Sequence, residues 1–214
     1  MKATAIAPSN IAFTKYWGRK DEVLRLPANG SISMCLSNLL TTTSVEFSPD
    51  FQKDEINIDD KGRIIKHLDR IRKLADISLK AKVVTKNNFP TGTGLSSSAS
   101  GFATLTLAAC KAAGLNLSEK QLSILARQGS GSACRSIPGG FVEWLDGNTS
   151  ETSYAKQIFP AGYWRICDVV AIVSTKRKEV PTSAGMKIAQ SSPFMKLRLS
   201  RMKDKNKLVK KLIK

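Results

Sequence analysis

Apolar and polar residues alternate along much of the first half of the chain, and this pattern predicts a sheet. Residues 2–15 alternate small apolar and polar side chains around Pro8, which predicts a strand, a kink and a second strand. Residues 31–47 are rich in Ile, Leu, Thr and Val and predict a long strand. Two shorter segments, 55–58 and 79–85, predict two further strands.

Apolar residues recur at helical spacing in three other segments. Between Arg63 and Ala75 they lie three or four residues apart, which predicts an amphipathic helix. A run of small and apolar residues, 102–113, predicts a buried helix that ends at Gly114. Ser118 is placed to cap a third helix, which is expected to run to about Gln128.

The second half of the chain has fewer regular patterns. Small polar residues at 129–135 predict a loop, and the apolar run 141–145 predicts a strand. Residues 168–174, DVVAIVS, predict a buried strand. A turn at 181–185 is expected to lead into a basic helix from about residue 186. That helix has an apolar stripe with little of the chain left to cover it, made of Met195, Leu199, Met202, Val209 and Ile213.

Composition excludes several classes of protein. With 214 residues and 42% hydrophobic residues, the chain can form a core and is not intrinsically disordered. It has no apolar run of about 18 residues and no signal-peptide pattern, so neither a membrane span nor export is expected, and a cytoplasmic location is the default. The four cysteines form no Cys-x-x-Cys pair, which argues against a disulfide framework or a zinc site. The single histidine, His67, is expected on a helix surface.

Charge points to an anionic ligand or partner. The chain has 34 Lys and Arg residues against 17 Asp and Glu residues, a net charge of +17. Such an excess fits nucleic acid, an acidic membrane surface or a polyanionic small substrate. It also fits a chain from which an acidic segment is missing.

The strongest candidate site is the segment 90–99, PTGTGLSSSA, at the start of the second predicted helix. Gly92 and Gly94 allow backbone N–H groups to approach an anion closely, and three serine hydroxyls follow. Because the positive end of a helix begins there, the segment predicts a phosphate-binding loop. It is not a Walker A loop, since no Gly-Lys-Ser/Thr follows. The alternative is an ordinary Gly/Ser loop that caps the helix.

Two further clusters carry candidate chemistry. In residues 129–136, GSGSACRS, Arg135 could bind a carboxylate or a phosphate with two hydrogen bonds, whereas Cys134 is expected to pack rather than to act as a nucleophile. In residues 10–20, NIAFTKYWGRK, Lys15 is expected at a strand end and two more cations follow. This second cluster is either a polyphosphate site or a solvated basic turn.

Three stretches in this order, NIAFTKYWGRKD, FPTGTGLSSSASGFA and RQGSGSACRSIPGGFVEW, resemble the diphosphomevalonate decarboxylases of the GHMP kinase superfamily. The similarity continues through IVSTKRKEVPTSAGMK and SPFMKLRLSRM. The resemblance implies phosphorylation of the 3-hydroxyl of mevalonate 5-diphosphate by Mg-ATP. Loss of that phosphate together with carbon dioxide then gives isopentenyl diphosphate.

The resemblance also implies a fold and a domain organisation. We expect an α+β fold with a GHMP kinase-type N-terminal domain over residues 1–163, a two-layer α/β sandwich like that of some ribosomal proteins. Residues 164–214 are expected to form the incomplete start of a second α+β domain, after a hinge near residues 163–165.

The resemblance assigns roles to residues in all three stretches. Lys15 matches a lysine near the transferred phosphate and Arg135 a group on the substrate carboxylate; with Ser132 they are the catalytic candidates. Arg19 stands where the family usually has lysine, which keeps the charge but changes the hydrogen-bonding geometry. The ATP-binding candidates are Pro90, Gly92, Gly94, Leu95, Ser96, Ser97, Ser98 and Ala99. The substrate-binding candidates are Tyr16, Trp17, Gly18, Arg19, Arg63, Ser130, Gly131, Ser132, Ala133, Cys134, Arg135, Thr182 and Ser183.

One element of the family pattern is absent from the sequence. The family places an essential aspartate in a later Asp-Ala-Gly-Pro-Asn segment, which these residues do not contain, and neither Asp168 nor Asp204 matches it. We therefore expect a C-terminally truncated chain with weak or no turnover by itself. The expected cofactors are ATP and Mg²⁺, and the expected partners are the small-molecule substrate and a second copy in a homodimer, with neither nucleic acid nor membrane.

Two alternatives remain at this point. A mevalonate 5-phosphate decarboxylase or a mevalonate 3-kinase would use the same scaffold, although Arg19, Lys20 and Ser183 favour the longer diphosphate. A basic RNA-binding module is the more remote alternative, because the basic tail lacks interleaved aromatic residues.

Overall fold

The structure is a computed structural model that describes residues 1–173, 180 and 182–214. Within these residues, one six-stranded sheet is packed against helices, and a separate two-stranded ribbon lies beside it. The strands are β1 (Lys2–Thr14), β2 (Arg19–Asp21), β3 (Leu26–Pro27), β4 (Ser31–Ser48), β5 (Glu55–Ile56), β6 (Lys80–Asn87), β7 (Phe141–Trp144) and β8 (Ala155–Phe159). The helices are α1 (Lys61–Ala75), α2 (Ser97–Ala112), α3 (Glu119–Gly129), α4 (Thr182–Ala189) and α5 (Met195–Ile213). The predicted α+β class is confirmed.

The long strand β4 organises the sheet. Strand β1 runs antiparallel along one edge of β4, and β6 and β7 share the other edge. Strand β8 extends the sheet beyond β7, and β5 adds a short parallel pairing to β6. The end of β1 is therefore one strand away from β7, and the site described below is built there.

Strand β1 is one continuous element, whereas the sequence predicted two strands. Its pairing with β4 shifts register between Pro8 and Ser9, so the kink becomes an irregularity within the ladder. Proline is tolerated at such a point because the missing N–H leaves no ladder bond unmade.

Helices α1, α2 and α3 form the second layer with one core. Strand residues such as Val45 and Phe47 pack with Leu68 of α1 and Leu105 of α2, all at or near zero exposure. The predicted cap of α3 is confirmed: Ser118 Oγ accepts a hydrogen bond from the N–H of Gln121, whose side chain accepts the N–H of Ser118.

His67 is fully buried, and its predicted place on the surface of α1 was wrong. Its Nε2 lies 2.8 Å from Thr106 Oγ1 of α2, and its ring meets Phe102 edge-on at 5.5 Å. His67 is buried because α1 packs against α2 at this position, and Thr106 of α2 supplies a hydroxyl that satisfies one ring nitrogen. Burial lowers the pKa of His67 to about 3, helped by nearby arginine charges.

The segment 168–173 forms no strand in the described part of the chain, so the predicted buried strand was wrong there; residue 174 lies outside the described residues. Val169 and Val173 are 90% and 96% exposed. The apolar run has the composition of a buried strand, but no described strand pairs with it.

The basic C-terminal segment forms two helices rather than one. Helix α4 ends at Ala189 and α5 begins at Met195, and α4 replaces most of the turn expected at 181–185. The apolar stripe of α5 is also better covered than predicted, since Met202 and Ile213 are buried and Ile213 packs with Ile32 and Phe141 of the sheet. Among the described residues, no helix is both long enough and apolar enough to cross a membrane.

Candidate functional site

Two neighbouring residues of β1 hold the phosphate-loop segment and the Arg135 segment against each other. Ser9 Oγ donates a hydrogen bond to the carbonyl oxygen of Leu95 at 2.5 Å. Asn10 Nδ2 donates to the carbonyl oxygen of Ser132 at 3.2 Å and to Ser136 Oγ at 2.8 Å. The two predicted motifs, far apart in sequence, are thus fixed by consecutive residues of one strand.

The segment 90–96 leads into an open helix N-terminus. Ser96 precedes α2 in the left-handed region (φ 56°), and its side chain makes no capping hydrogen bond. Gly92 and Gly94 also have positive φ, 75° and 100°, which glycine adopts without strain. In the first helical turn the N–H of Ala99 donates to the carbonyl oxygen of Ser96. No side chain caps the turn, and a phosphate is the ligand that such an end favours.

The Arg135 segment is a short 3₁₀ helix, Gly131–Ser136, whereas the sequence predicted a loop. Its small residues allow the tight turn, in which the N–H of Ala133 donates to the carbonyl oxygen of Ser130. Ser130 Oγ lies 3.5 Å from Ser98 Oγ, so this helix begins beside the first turn of α2. Cys134 is fully buried, and burial raises the pKa of its thiol to about 12, which fits packing rather than nucleophilic attack.

Arg135 is enclosed, at 4% exposure, and its hydrogen-bond partners are neutral. Its Nε and Nη2 donate to Asn10 Oδ1 at 3.1 and 2.9 Å, and its Nη1 donates to Ser31 Oγ at 2.7 Å. In the described part of the chain no carboxylate pairs with it. A guanidinium has five donor hydrogens, so two remain for a carboxylate or a phosphate.

Tyr16 and Lys15 follow β1 and complete the same surface. Tyr16 is buried edge-on against Trp144 at 4.6 Å between ring centres, and burial raises the pKa of its phenol. A Cβ on Gly131 would lie 2.6 Å from Tyr16 Oη, so glycine is required at that contact. Burial and the charge of Arg135 lower the pKa of Lys15, while Asp168 raises it, which places Lys15 within the electrostatic range of Arg135.

The residues after Tyr16 form the turn into β2. Gly18 adopts a positive φ of 76°, and a Cβ there would lie 2.9 Å from Met195 Cε. The Arg19 side chain is 7% exposed and pairs with Glu22 at 2.5 Å. Lys20, in contrast, donates to Asp146 O and Asn148 Oδ1 in the β7–β8 connection, away from the loops.

Arg63 and α4 approach this surface from two other directions. Arg63 Nη2 donates to the carbonyl oxygen of Gly129 at 3.2 Å, directly before Ser130. Trp17 is 37% exposed, and Gly185 of α4 lies against its ring. Thr182 is exposed at the start of α4, and the side chain of Ser183 lies outside the described part of the structure. The structure therefore brings together Lys15, Tyr16, Arg63, Ser98, Ser130 and Arg135.

Sequence reasoning gave no role to Ser9 and Asn10, which hold the two segments of the site together. It also gave none to Arg25, whose Nε donates to the carbonyl oxygen of Gln128 close to Ser130. Asn10 had a detectable signal, because a buried amide in the middle of an apolar alternation requires a specific partner. Arg25 stands immediately before the apolar pair of β3 and had no such signal.

The comparisons with known proteins agree on one family. The family model "Diphosphomevalonate decarboxylase-like N-terminal domain" matches residues 7–155. The diphosphomevalonate decarboxylase of Ganoderma lucidum is 39% identical over an alignment of 223 residues, and this alignment covers 92% of this chain and 56% of the relative. The Homo sapiens enzyme is 39% identical over 221 residues, 91% of this chain and 54% of the relative. The chain thus spans about half the length of the curated relatives it matches.

Solved structures of similar sequence share the fold. Mevalonate diphosphate decarboxylase from Staphylococcus aureus matches with a TM-score of 0.87 and 36% identity, over 99% of this chain and 67% of that one. The enzyme from Enterococcus faecalis matches with a TM-score of 0.87 and 37% identity, over 100% of this chain and 67% of that one. A structure designated MDDEF, in complex with MVAPP, AMPPCP and magnesium, matches with a TM-score of 0.84 and 38% identity, over 100% of this chain and 68% of that one.

Proposed function

The chain belongs to the diphosphomevalonate decarboxylase family, and from this premise we propose that it contributes the nucleotide loop and most of the substrate contacts of a decarboxylase. The proposed reaction converts mevalonate 5-diphosphate and ATP into isopentenyl diphosphate, ADP, phosphate and carbon dioxide. The names of the relatives and the bound ligands of the MDDEF structure support this assignment.

One observation carries the proposal. Arg135, buried and bound by neutral groups, lies on the 3₁₀ helix that begins beside the open N-terminus of α2. A site for the carboxylate of one substrate is thereby joined to a site for the phosphates of another. A protein that binds only one anion would need only one of these two features.

The nucleotide phosphates fit the first turn of α2. The uncapped N–H groups and the hydroxyls of Ser96, Ser97 and Ser98 supply donors for phosphate oxygens. The described residues contain no cluster of three His, Cys, Asp or Glu side chains that could hold a metal ion. A magnesium ion would be held mainly by the nucleotide phosphates and water, with these hydroxyls nearby. When bound, the ion neutralises charge on the phosphate oxygens.

The substrate residues would act in two stages. In the first, the 3-hydroxyl of the substrate gives its proton to a base, the role that the resemblance assigns to the aspartate of the family's Asp-Ala-Gly-Pro-Asn segment. A bond forms between the 3-oxygen and the γ-phosphorus, and the bond from that phosphorus to ADP breaks. Lys15 would stabilise the transferring phosphate. In the second, phosphate leaves with the electron pair of its C–O bond while the bond to the carboxyl carbon breaks to form the double bond. Arg135 orients that carboxylate, and Ser132 lies on the same 3₁₀ helix.

The remaining site and domain assignments are part of the same proposal. Tyr16, Trp17, Gly18, Arg19, Arg63, Thr182 and Ser183 would contact the substrate. Residues 1–163 would form the nucleotide-binding domain and residues 164–214 the start of the next. A cytoplasmic location and a homodimer are likewise predictions from the sequence and the resemblance.

Calorimetric titration of the 214-residue chain tests the proposal. We expect binding of mevalonate 5-diphosphate and of the ATP analogue AMPPCP with magnesium, and weaker binding of mevalonate 5-phosphate and mevalonate. Tighter binding of the 5-phosphate would favour a 5-phosphate decarboxylase, and tighter binding of mevalonate would favour a 3-kinase. Binding of none of them would contradict the proposal. Turnover is measured as ATP-dependent release of carbon dioxide, and the sequence predicts little or none from these residues alone.

A further inference from the structure

The ribbon formed by β2 and β3 is fastened to the end of α3 by two arginines. Arg127 Nε of α3 donates to the carbonyl oxygen of Leu24 in the ribbon at 3.0 Å. Arg25 Nε of the ribbon donates to the carbonyl oxygen of Gln128 at 3.1 Å. Arg25 adopts a left-handed backbone conformation (φ 51°), and these reciprocal hydrogen bonds hold it there. Its guanidinium therefore has a fixed position at the C-terminal end of α3.

A second guanidinium, that of Arg63, binds the next carbonyl oxygen along the chain. Arg63 Nη2 donates to the carbonyl oxygen of Gly129, the residue after Gln128. Successive carbonyls thus position Arg25 and Arg63 directly before Ser130, where the 3₁₀ helix of the site begins. Arg19 stands at the start of the same ribbon with its side chain 7% exposed, and its Nε has no hydrogen-bond partner among the described residues.

The positive charge of Arg19, Arg25 and Arg63 is only partly balanced by acidic residues. Arg19 pairs with Glu22 and Arg63 pairs with Asp60, each three residues away in sequence. Arg25 has no acidic partner in the described part of the chain, and its two Nη groups make no hydrogen bond there. Burial and the charges of Arg19 and Arg63 lower the pKa of Arg25 to about 10, so it stays charged at neutral pH. The partial negative charge of a helix C-terminus offsets only a fraction of this excess.

We propose that Arg25 is a substrate-binding residue that selects a 5-diphosphate over a 5-phosphate. With Arg19 and Arg63 it would form a three-guanidinium site for the terminal phosphate, and its free Nη groups supply the hydrogen bonds. A terminal phosphate would supply the negative charge that balances these arginines and the oxygens that accept their hydrogen bonds. This inference rests on the function proposed above and adds a specificity-determining contact to it.

A purely structural role is the competing explanation, because Arg25 Nε also fastens the ribbon to α3. The two roles predict different ligand dependence. A fastening residue affects every ligand of the site alike, whereas a terminal-phosphate contact affects only ligands that have that phosphate. The ratio of the dissociation constants for mevalonate 5-phosphate and mevalonate 5-diphosphate therefore distinguishes them.

The test titrates both ligands into the 214-residue chain and three variants: Arg25→Gln, Arg25→Lys and Arg70→Gln. We expect Arg25→Gln to weaken 5-diphosphate binding by about tenfold or more, the loss typical of a charge-assisted hydrogen bond, and 5-phosphate binding by less than about twofold. Arg25→Lys keeps the charge and should retain most of the preference. Arg70→Gln is the matched control, because Arg70 is a half-buried arginine whose charge also lowers the pKa of Arg25 but which bonds only to the carbonyl oxygen of Lys66.

Three results would overturn the proposed role of Arg25. An equal loss for both ligands in Arg25→Gln, an unchanged preference, or the same loss in Arg70→Gln would overturn the inference. If melting curves show that Arg25→Gln is unfolded, Arg25→Lys decides: a retained preference supports the charge contact, and equal weakening of both ligands overturns it. If the unsubstituted chain binds neither ligand, the proposed function fails, and this inference fails with it.

Discussion

Arg72 and Arg135 are enclosed to a similar degree, 8% and 4% exposed, but their charges are balanced in opposite ways. Arg72, in the last turn of α1, pairs with Asp54 at 2.5 Å and Asp69 at 2.8 Å and also donates to the carbonyl oxygen of Leu79. Arg135 is held by Asn10 and Ser31 without a carboxylate in the described chain. The charge of Arg72 is balanced within the protein, whereas Arg135 keeps a positive charge and two donor hydrogens that an anionic ligand can use.

A third buried arginine refines this comparison. Arg127 also lacks a carboxylate hydrogen bond among the described residues, yet four of its five donor hydrogens bond to the carbonyl oxygens of Leu24, Ser150 and Ser153 and to the hydroxyl of Ser150. The absence of an acid is therefore not enough to indicate a ligand site. Unfilled donors next to a second anion-binding feature, here the N-terminus of α2, are the better indication.

Removal of Arg72 should have the largest effect, and only on stability. Arg72→Met would leave the Asp54 carboxylate, which is itself enclosed, without its cation, and we expect a loss of about 3 kcal/mol or more in the free energy of unfolding. Urea unfolding measures it, with Arg70→Met as the control on the same helix. Binding of mevalonate 5-diphosphate should be unchanged at a temperature where the variant is folded. A loss below about 1 kcal/mol would remove the distinction between the two regions.

Removal of Arg135 should have the reverse profile. Arg135→Met should weaken binding of mevalonate 5-diphosphate by about 2–3 kcal/mol, because an anion loses its charged partner in an enclosed site. The free energy of unfolding should change less than in Arg72→Met, since no carboxylate is left unpaired. Calorimetry and urea unfolding on the same preparation check both. A large loss of stability with normal binding would show that Arg135 is structural.

Acid should weaken the contact that His67 makes between α1 and α2. The pKa of His67 is about 3 in the folded chain and about 6.5 when unfolded, so the unfolded chain binds the extra proton between those values. Stability should therefore fall as the pH drops below 6.5, by about 1.5 kcal/mol between pH 6.5 and pH 5. Urea unfolding at several pH values measures this slope, which His67→Leu should flatten. An unchanged slope in that variant would assign the pH dependence to other groups.

The smallest effect concerns the start of α3, at the opposite end of the helix from the site. Ser118→Ala removes the capping box with Gln121 and should cost about 1 kcal/mol of stability. Binding of mevalonate 5-diphosphate should stay the same, because the cap is separated from Ser130 by the whole helix. Ser118→Asp, which preserves a cap, is the control. Weakened binding in Ser118→Ala alone would mean that the site depends on the whole of α3.

The sequence predicted elements whose stabilising partners are local. The stripe of α1 and the cap at Ser118 depend on neighbours within a few residues, and both were confirmed. The alternation of β4 was also confirmed, although the strands that pair with β4 are distant in sequence. The burial of His67 was missed because it depends on Thr106 in another helix, and the strand predicted at 168–174 was wrong over its described residues because a strand needs a paired edge. Within the site, the three motifs were recognisable by composition, but Asn10 and Arg25 join segments more than 100 residues apart in sequence.

The anchoring of both loops by β1 also has a consequence for the order of events during synthesis. Ser9 and Asn10 leave the ribosome early, but Arg135 follows Asn10 by 125 residues. At translation rates of roughly 5–20 residues per second, this separation corresponds to a wait of roughly 6 to 25 seconds. Through that interval β1 and β4 can form their hairpin while the polar side chain of Asn10 has no native partner. The nascent chain must therefore tolerate a solvated Asn10 until the 3₁₀ helix arrives, and the site is among the last parts of this layer to assemble.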